Sequence, residues 1–192
     1  MELSEILHKR RMTRSFDARA LDPTTVESLL AAALRAPSAG YTQGVDLLVL
    51  DGMEETHRYW DAALPGDARE SFAWPGLLAA PLLVVVLSSE DAYRDRYDEP
   101  DKATTSFDVP WWHVDAAFSA LLLQLAAIDA GLGALFFRAH GVATLRRAFE
   151  IPPTFTPVGT VAIGHPARDR PSSSVANRPR RPAGDVVHRG SW

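Results

Sequence analysis

The feature that most restricts the fold is a long apolar segment, residues 116–137. A helix that is apolar nearly all round must be buried, either in a core or in a subunit interface. The segment is long enough to resemble a membrane span, but a polar or glycine residue interrupts it about every five positions, which would be costly in lipid. We therefore predict a central helix of a globular protein. The interrupting residues are Ser119, Gln124, Asp129, Gly131 and Gly133.

Composition narrows the class of protein. A length of 192 residues is enough for one domain with a substantial core, so we expect a single domain over residues 1–192. The formal charge of −4 gives no field that would recruit nucleic acid or an anionic membrane. With no cysteine there is no disulfide framework, thiolate chemistry or sulfur-based metal site. Residues 1–5 lack the start of a signal peptide, so we expect a cytoplasmic location.

Local patterns predict the order of helices and strands. Residues 3–11 are typical of a short helix, and Asp22 and Pro23 begin a second one as N-cap and first-turn residue. Pro37 ends that helix. Its apolar stripe is Val26, Leu29, Leu30, Ala33 and Leu34.

Four apolar runs predict strands, and the segments between them predict helices and loops. The runs lie in residues 46–51, 82–87, 134–137 and 158–166. We predict helical segments near the surface over residues 53–72, a loop or lid over 90–108, a helix over 142–149, a flexible link at 172–174 and an edge strand at 186–188.

Residues 9–16 carry the most unusual charge pattern, with four cations in the first six positions. One interpretation is a solvated, basic helix end, which the helix dipole favours. The other is a phosphate site, because Arg presents planar, bidentate donors whose charge is permanent. Both interpretations stay open at this point.

In register, the same stretch resembles the opening motif of the nitroreductase family of flavoproteins. Arg10, Arg11, Arg14 and Phe16 fit that motif, and Met12 stands where the family usually has Ser. The resemblance implies that Arg10 binds the FMN phosphate, that Arg11 and Met12 line the cofactor site, and that Arg14 lies beside the pyrimidine edge of the flavin. We call residues 10–16 the arginine motif.

A second likeness to the family lies in residues 36–44, here called the 36–44 loop. The family loop contacts the flavin ring of the neighbouring subunit. Tyr41 and Gly44 replace the usual Asn and Pro. An ordinary connection before a strand is the alternative. The flavin-contacting residues that the resemblance implies are Pro37, Ser38, Ala39 and Gln43.

Two further segments are assigned by resemblance. Residues 138–141 occupy the position from which the family offers a backbone N–H to flavin N5, which implies roles for Arg138, His140 and Gly141. A surface loop histidine is the alternative for His140. Arg178 and Arg180 hold the places of the basic residues that complete the phosphate site with the first Arg of the motif; the alternative is a solvated basic tail.

The resemblance implies an α+β fold with a central, mostly antiparallel sheet flanked by helices, in a homodimer that exchanges a C-terminal strand. It further implies hydride transfer from NAD(P)H through FMN N5 to a small electron-poor acceptor, such as a nitroaromatic or quinone, with Arg14, His140 and Gly141 as catalytic residues. Three alternatives remain: a flavin-storage protein, a member with oxidative or dehalogenating chemistry, and a basic binding module without cofactor. The weak candidates for substrate contact are Tyr93, Tyr97 and Phe107.

A metal site is not predicted. His113 and Asp115 are the only close pair of metal-type ligands, and an i, i+2 spacing points two side chains apart on a helix.

Overall fold

The structure is a computed structural model that describes residues 1–102, 107–169 and 177–192. Its five strands form one sheet in the order β2-β3-β5-β4, with the short β1 beside the end of β5, and every strand pair is antiparallel. The strands are β1 (Phe16–Asp17), β2 (Val45–Asp51), β3 (Leu82–Ser88), β4 (Gly133–Phe137) and β5 (Thr156–Pro166).

Helices cover both faces of this sheet, which confirms the predicted α+β architecture. Those in the described residues are α1 (Leu3–Lys9), α2 (Pro23–Ala33), α3 (Met53–Ala63), α4 (Asp67–Glu70), α5 (Glu90–Tyr97), α6 (Trp111–Asp129) and α7 (Val142–Ala148). Asp22 caps α2 as predicted, since its Oδ1 accepts from the amide of Thr24 at 2.9 Å. Leu34 lies beyond the end of α2 and is exposed, so it does not belong to the buried stripe.

Strand β3 explains why the core has two halves. All seven of its residues are buried, which is typical of a strand covered on both faces. Leu83 and Val85 pack with α3 and α7 on one face, and Leu82 and Val84 pack with α2 and α6 on the other.

Helix α6 is the predicted central helix. Its length and composition would suffice to cross a membrane. It instead packs on α2 and on several strands of the sheet, and it buries the polar residues Asp115, Ser119 and Gln124. It is therefore a core helix.

Two predictions about helices need correction. Helix α1 ends at Lys9 rather than residue 11, because Met12 pairs with Ala134 and the backbone is extended there. Helix α3 is not a surface helix, since Tyr59 and Trp60 are completely buried against the sheet.

The prediction of a loop over residues 90–108 is wrong for its first half, which is helix α5. Ser89 caps this helix, and Glu90 pairs with Arg94 one turn later. Tyr93 is completely buried, so its proposed substrate contact is also wrong. Tyr97 and Phe107 are half-buried and pack edge to face at 5.0 Å, which is typical of aromatic residues that anchor a segment.

The C-terminal residues differ from the predicted edge strand. A short 3-10 helix spans Ala183–Asp185, and Val186 and Val187 follow it without strand pairing and exposed. A lone strand needs a partner for its hydrogen bonds, so strand exchange stays a prediction for the dimer. The predicted link at residues 172–174 lies outside the described residues.

Candidate functional site

An open cleft of about 440 Å³ lies beside the arginine motif. Backbone hydrogen bonds hold the motif to β4 and to the segment after β5 at this cleft. The amide of Thr13 donates to the carbonyl of Ala134 at 3.0 Å, which adds the motif to the edge of β4, and the amide of Ala167 donates to Ser15 at 3.0 Å. The cleft is lined by Arg14, Ser15, Ala73, Trp74, Pro75, Gly76, Arg168 and Asp169.

Arg14 is the best-placed cation of this cleft. Its guanidinium lies 5.0 Å from the centroid of the Trp74 ring and donates to the carbonyl of Met12 at 3.1 Å. Its backbone amide donates to Asp169 Oδ2 at 2.8 Å, which fixes the chain under the side chain. The cation–π contact holds the guanidinium in a defined orientation.

The arginines of the motif are not ion-paired with acidic side chains in the part of the chain that the structure describes. Within residues 1–102, 107–169 and 177–192, no carboxylate forms an ion pair with Arg10, Arg11 or Arg14. Arg10 is half-buried at the end of α1, and Arg11 is exposed. Closely spaced like charges repel, so the arrangement favours an anionic ligand.

The two C-terminal arginines are not brought to this cleft by any described contact. Arg178 and Arg180 are exposed, and in residues 177–192 the one arginine side chain with a described hydrogen bond is Arg181, to the carbonyl of Asp185. Residues 170–176, which lead to them, lie outside the described chain. Their meeting with Arg10 stays a prediction.

The 36–44 loop is held tightly. Ser38 Oγ accepts from the amide of Gln43 at 2.8 Å, and the amide of Ala39 donates to Asp115 Oδ2 at 2.7 Å. Tyr41 and Gln43 have φ values of 56° and 57°, the left-handed region that non-glycine residues rarely adopt. Pro37 is exposed at the start of the loop.

One chain does not bring this loop to the arginine motif. The loop leads into Val45, which pairs with Ser88 at one end of β3. The motif contacts Ala134 of β4. Ala134 and Leu82 both pair with Ile163 of β5, so Ala134 lies at the Leu82 end of β3, opposite to the end that carries Ser88. Seven residues of strand separate these levels by about 20 Å.

Strand β4 leads from the motif to the 138–141 loop. Gly141 has φ 59° and precedes α7; a Cβ there would lie 2.6 Å from Thr144 Oγ1 and 2.9 Å from the carbonyl of Ala62. His140 is half-buried. Burial, and secondarily the charge of Arg138, lowers the pKa of His140 below 6.5, so the neutral imidazole is favoured at neutral pH.

Comparison with known proteins decides the family. The model of the family described as "Nitroreductase family" matches residues 7–165. The chain belongs to the nitroreductase family. This match covers the arginine motif, the 36–44 loop and the 138–141 loop.

Relatives extend the likeness to the whole length. A protein of Archaeoglobus fulgidus that carries the name NADH dehydrogenase/NAD(P)H nitroreductase is 23% identical over 195 residues, which is 100% of this chain and 99% of that protein. A nitroreductase family protein of Clostridium difficile 630 has a similar fold, with a TM-score of 0.76 at 21% identity and 100% of both chains covered. An FMN-dependent nitroreductase of Clostridium difficile R20291 has a TM-score of 0.71 at 19% identity, covering 97% of this chain and 98% of that one.

In this nitroreductase family member, sequence reasoning missed two parts of the site. Trp74 is noticeable in the sequence only as the residue before a proline that breaks a pattern, yet it packs on Arg14. Asp115 looks like one half of a poor metal pair, yet it binds the 36–44 loop. Long-range partners gave no local signal in either case.

Proposed function

We propose that the chain is an FMN-dependent oxidoreductase that passes a hydride from NAD(P)H to a small electron-poor acceptor such as a nitroaromatic or quinone. The observation that carries this proposal is the arginine motif beside β4: Arg10, Arg11 and Arg14 form no ion pair with a described carboxylate, and Arg14 lines an open cleft. Bound FMN would accept and donate the hydride at N5, while the protein sets its orientation and potential.

The residues present fit a phosphate-bearing planar cofactor. Arg10 and Arg11 offer forked donors that match a phosphate. The side of the cleft at Gly76 is closed to any side chain, since a Cβ there would lie 2.5 Å from Ser15 Oγ and 2.8 Å from its Cβ. The solved relative from Clostridium difficile R20291 is named as FMN-dependent, which supports the same cofactor here. Arg178 and Arg180 would add two more donors.

Arg14 would stabilise the negative charge that develops on a reduced flavin. A preorganised cation near the developing charge acts as an oxyanion hole does. The Trp74 ring and the Met12 carbonyl hold the guanidinium in place before the ligand arrives. On the other side, the 138–141 loop would offer a backbone N–H, and the neutral His140 would add no competing charge.

We further propose that the protein works as a homodimer. Helix α6 exposes Trp111, Phe118 and Leu121 to 38%, 42% and 44%, at a spacing that places them along one side of the helix. Leu3 and Leu7 of α1 are also exposed beside it. An isologous interface would bury this apolar surface twice and bring the 36–44 loop of one copy to the arginine motif of the other. A monomer by light scattering at micromolar concentration would contradict this.

The test of the function is an absorbance spectrum of the purified protein after addition of FMN, repeated anaerobically with NADPH and then with NADH. We expect a bound flavin band that one nucleotide bleaches, and a nitroaromatic or quinone should restore it. A band that neither nucleotide bleaches would favour flavin storage over catalysis. No bound flavin at all would overturn the proposal.

A further inference from the structure

A buried polar network lies under the 36–44 loop. Asp115, which is 3% exposed, accepts two hydrogen bonds on Oδ2, from the Tyr93 hydroxyl at 2.6 Å and from the Ala39 amide at 2.7 Å. These distances are those of strong, charge-assisted bonds. Burial first, and then the bond to Asp115, raises the pKa of Tyr93, so its hydroxyl stays a donor.

The buried Asp115 carboxylate is unfavourable unless other groups compensate its charge. A buried charge is unfavourable unless it is paired or fully hydrogen-bonded. Among the described residues no cation forms an ion pair with Asp115. Its donors lie 22 and 76 residues away in the chain, and one of them is the backbone of the loop. The carboxylate therefore joins α5, α6 and the loop at one atom.

Helix α5 supports the loop at two more points. Arg96 Nε donates to the carbonyl of Gly40 at 2.9 Å. The Tyr93 ring covers Gly44 so closely that a Cβ there would lie 2.7 Å from Cε2. This contact explains why Gly44 stands where the family usually has Pro. Helix α5, the first half of the segment expected to be a loop or lid, thus supports the 36–44 loop.

The outer side of the loop is in contrast open. Tyr41 is 76% exposed although its backbone is in the left-handed region. A non-glycine residue keeps such a conformation only when its surroundings determine it. The bonds from Asp115, Arg96 and Ser38 are those surroundings. They fix the shape of the surface that the loop presents.

We propose that Asp115 is a positioning residue for the cofactor: with Tyr93 it holds the 36–44 loop in the shape that contacts the flavin of a partner copy. This inference rests on the proposed function. It assigns the negative charge and its two donors a role in ligand binding that simple stability of the fold would not require.

The experiment compares four variants in the full-length protein. Asp115→Ala removes both bonds, Asp115→Asn keeps an oxygen that accepts them, and Tyr93→Phe removes one donor but keeps the ring. Tyr59→Phe is the matched control, because Tyr59 is equally buried and its hydroxyl has Thr160 as its one hydrogen-bond partner among the described residues, at 2.8 Å, on the other side of the sheet. The two readouts are hydrogen exchange of the amides in residues 39–43 and FMN affinity by fluorescence quenching.

We expect Asp115→Ala to speed exchange in residues 39–43 and to weaken FMN binding by about 10- to 100-fold, and Tyr93→Phe to weaken it by about 3- to 10-fold. Asp115→Asn keeps the acceptor oxygen but loses the charge, so its FMN affinity should lie between those of the starting protein and Asp115→Ala. Tyr59→Phe should stay within about twofold of the starting protein, with the loop protected. If Asp115→Ala does not fold, the FMN affinities of Tyr93→Phe and Tyr59→Phe still test the positioning role.

Unchanged FMN affinity in Tyr93→Phe, or an equal loss in Tyr59→Phe, would overturn the positioning role and leave Asp115 a structural residue. Failure of the proposed function is a different result, because the unmodified protein would then bind no FMN at all.

Discussion

The arginine motif and the 36–44 loop treat polar groups in opposite ways. The motif presents guanidinium groups that form no ion pair with a described carboxylate, and one of them, that of Arg14, lines an open cleft. The loop has its key amides and carbonyls bonded to Ser38, Asp115 and Arg96. The motif is thus suited to binding an anionic group, whereas the loop presents a surface of fixed shape.

We propose that the two regions, which lie at opposite ends of the sheet, bind different parts of a single ligand. Unpaired cations lose much of their mutual repulsion when an anion arrives, so the motif would supply binding energy. The supported loop would add contacts to the flavin ring and would restrict which ring geometry fits. Because the two regions lie at opposite ends of the sheet, one flavin would contact both only where two copies of the chain meet.

Removing the phosphate donors should weaken FMN binding more than any other change. The double variant Arg10→Ala, Arg180→Ala should fold but bind FMN about 10²- to 10⁴-fold more weakly, since each bond to a charged group is worth about 1.5–3 kcal/mol. Arg94→Ala, which removes an arginine already paired with Glu90 on the surface, is the control. Stoichiometric FMN in the purified double variant would contradict the assignment of the phosphate site.

Arg14 should affect the redox potential rather than the affinity alone. Replacing it with Gln removes a charge that favours reduced flavin, so the midpoint potential should fall by about 30–60 mV for an interaction of about 1.5–3 kcal/mol. Arg19→Gln removes a nearby exposed arginine and should leave the potential unchanged. An unaltered potential in Arg14→Gln would remove Arg14 from the electrostatic role.

The packing of the loop gives a prediction about stability. Gly44→Ala puts a methyl group against the Tyr93 ring and should reduce the free energy of unfolding by about 1–3 kcal/mol. Gly184→Ala is the matched control, since nothing lies within 4 Å of a Cβ there. Thermal or urea unfolding measures both. Equal stability in the two variants would show that the loop is not packed as described.

The helices and strands that could be predicted are those whose sequence pattern lies within a few neighbouring residues. Strand β3 and the cap of α2 are predictable, because a buried apolar run and an Asp-Pro start are visible in a few residues. Helix α5 carried a usable signal, a Ser cap and a Glu90–Arg94 pair, that the acidic composition obscured.

The site itself was only half predictable. The arginines of the motif lie within five consecutive positions of the sequence, whereas the contacts of Trp74 and Asp115 join residues far apart. The strand expected at residues 186–188 shows a further limit, since β-propensity cannot supply a partner strand within one chain.

The smallest effect concerns the 138–141 loop. Because burial lowers the pKa of His140 below its unfolded value of 6.5, the unfolded state takes up the proton first as pH falls. Stability from this group is present above pH 6.5 and is lost as pH falls from there through the lower folded pKa. His140→Gln should therefore lose less stability between about pH 7.5 and pH 5 than the starting protein, by urea unfolding. His57→Gln, which removes an exposed histidine, is the control, and an equal loss in His140→Gln and the starting protein would contradict the burial of His140.

The claim that two copies share each flavin site is tested most directly by a mixed dimer. One chain carries Arg10→Ala and Arg180→Ala, and the other carries Gln43→Pro. Proline cannot adopt the φ of 57° at this position, and it lacks the amide N–H that donates to Ser38 Oγ. Each variant alone should hold little FMN. Purified through two different tags, the mixed dimer should hold about one FMN, because both lesions fall in one site and the other site stays intact. A mixed dimer that binds none would mean that each site lies within a single chain.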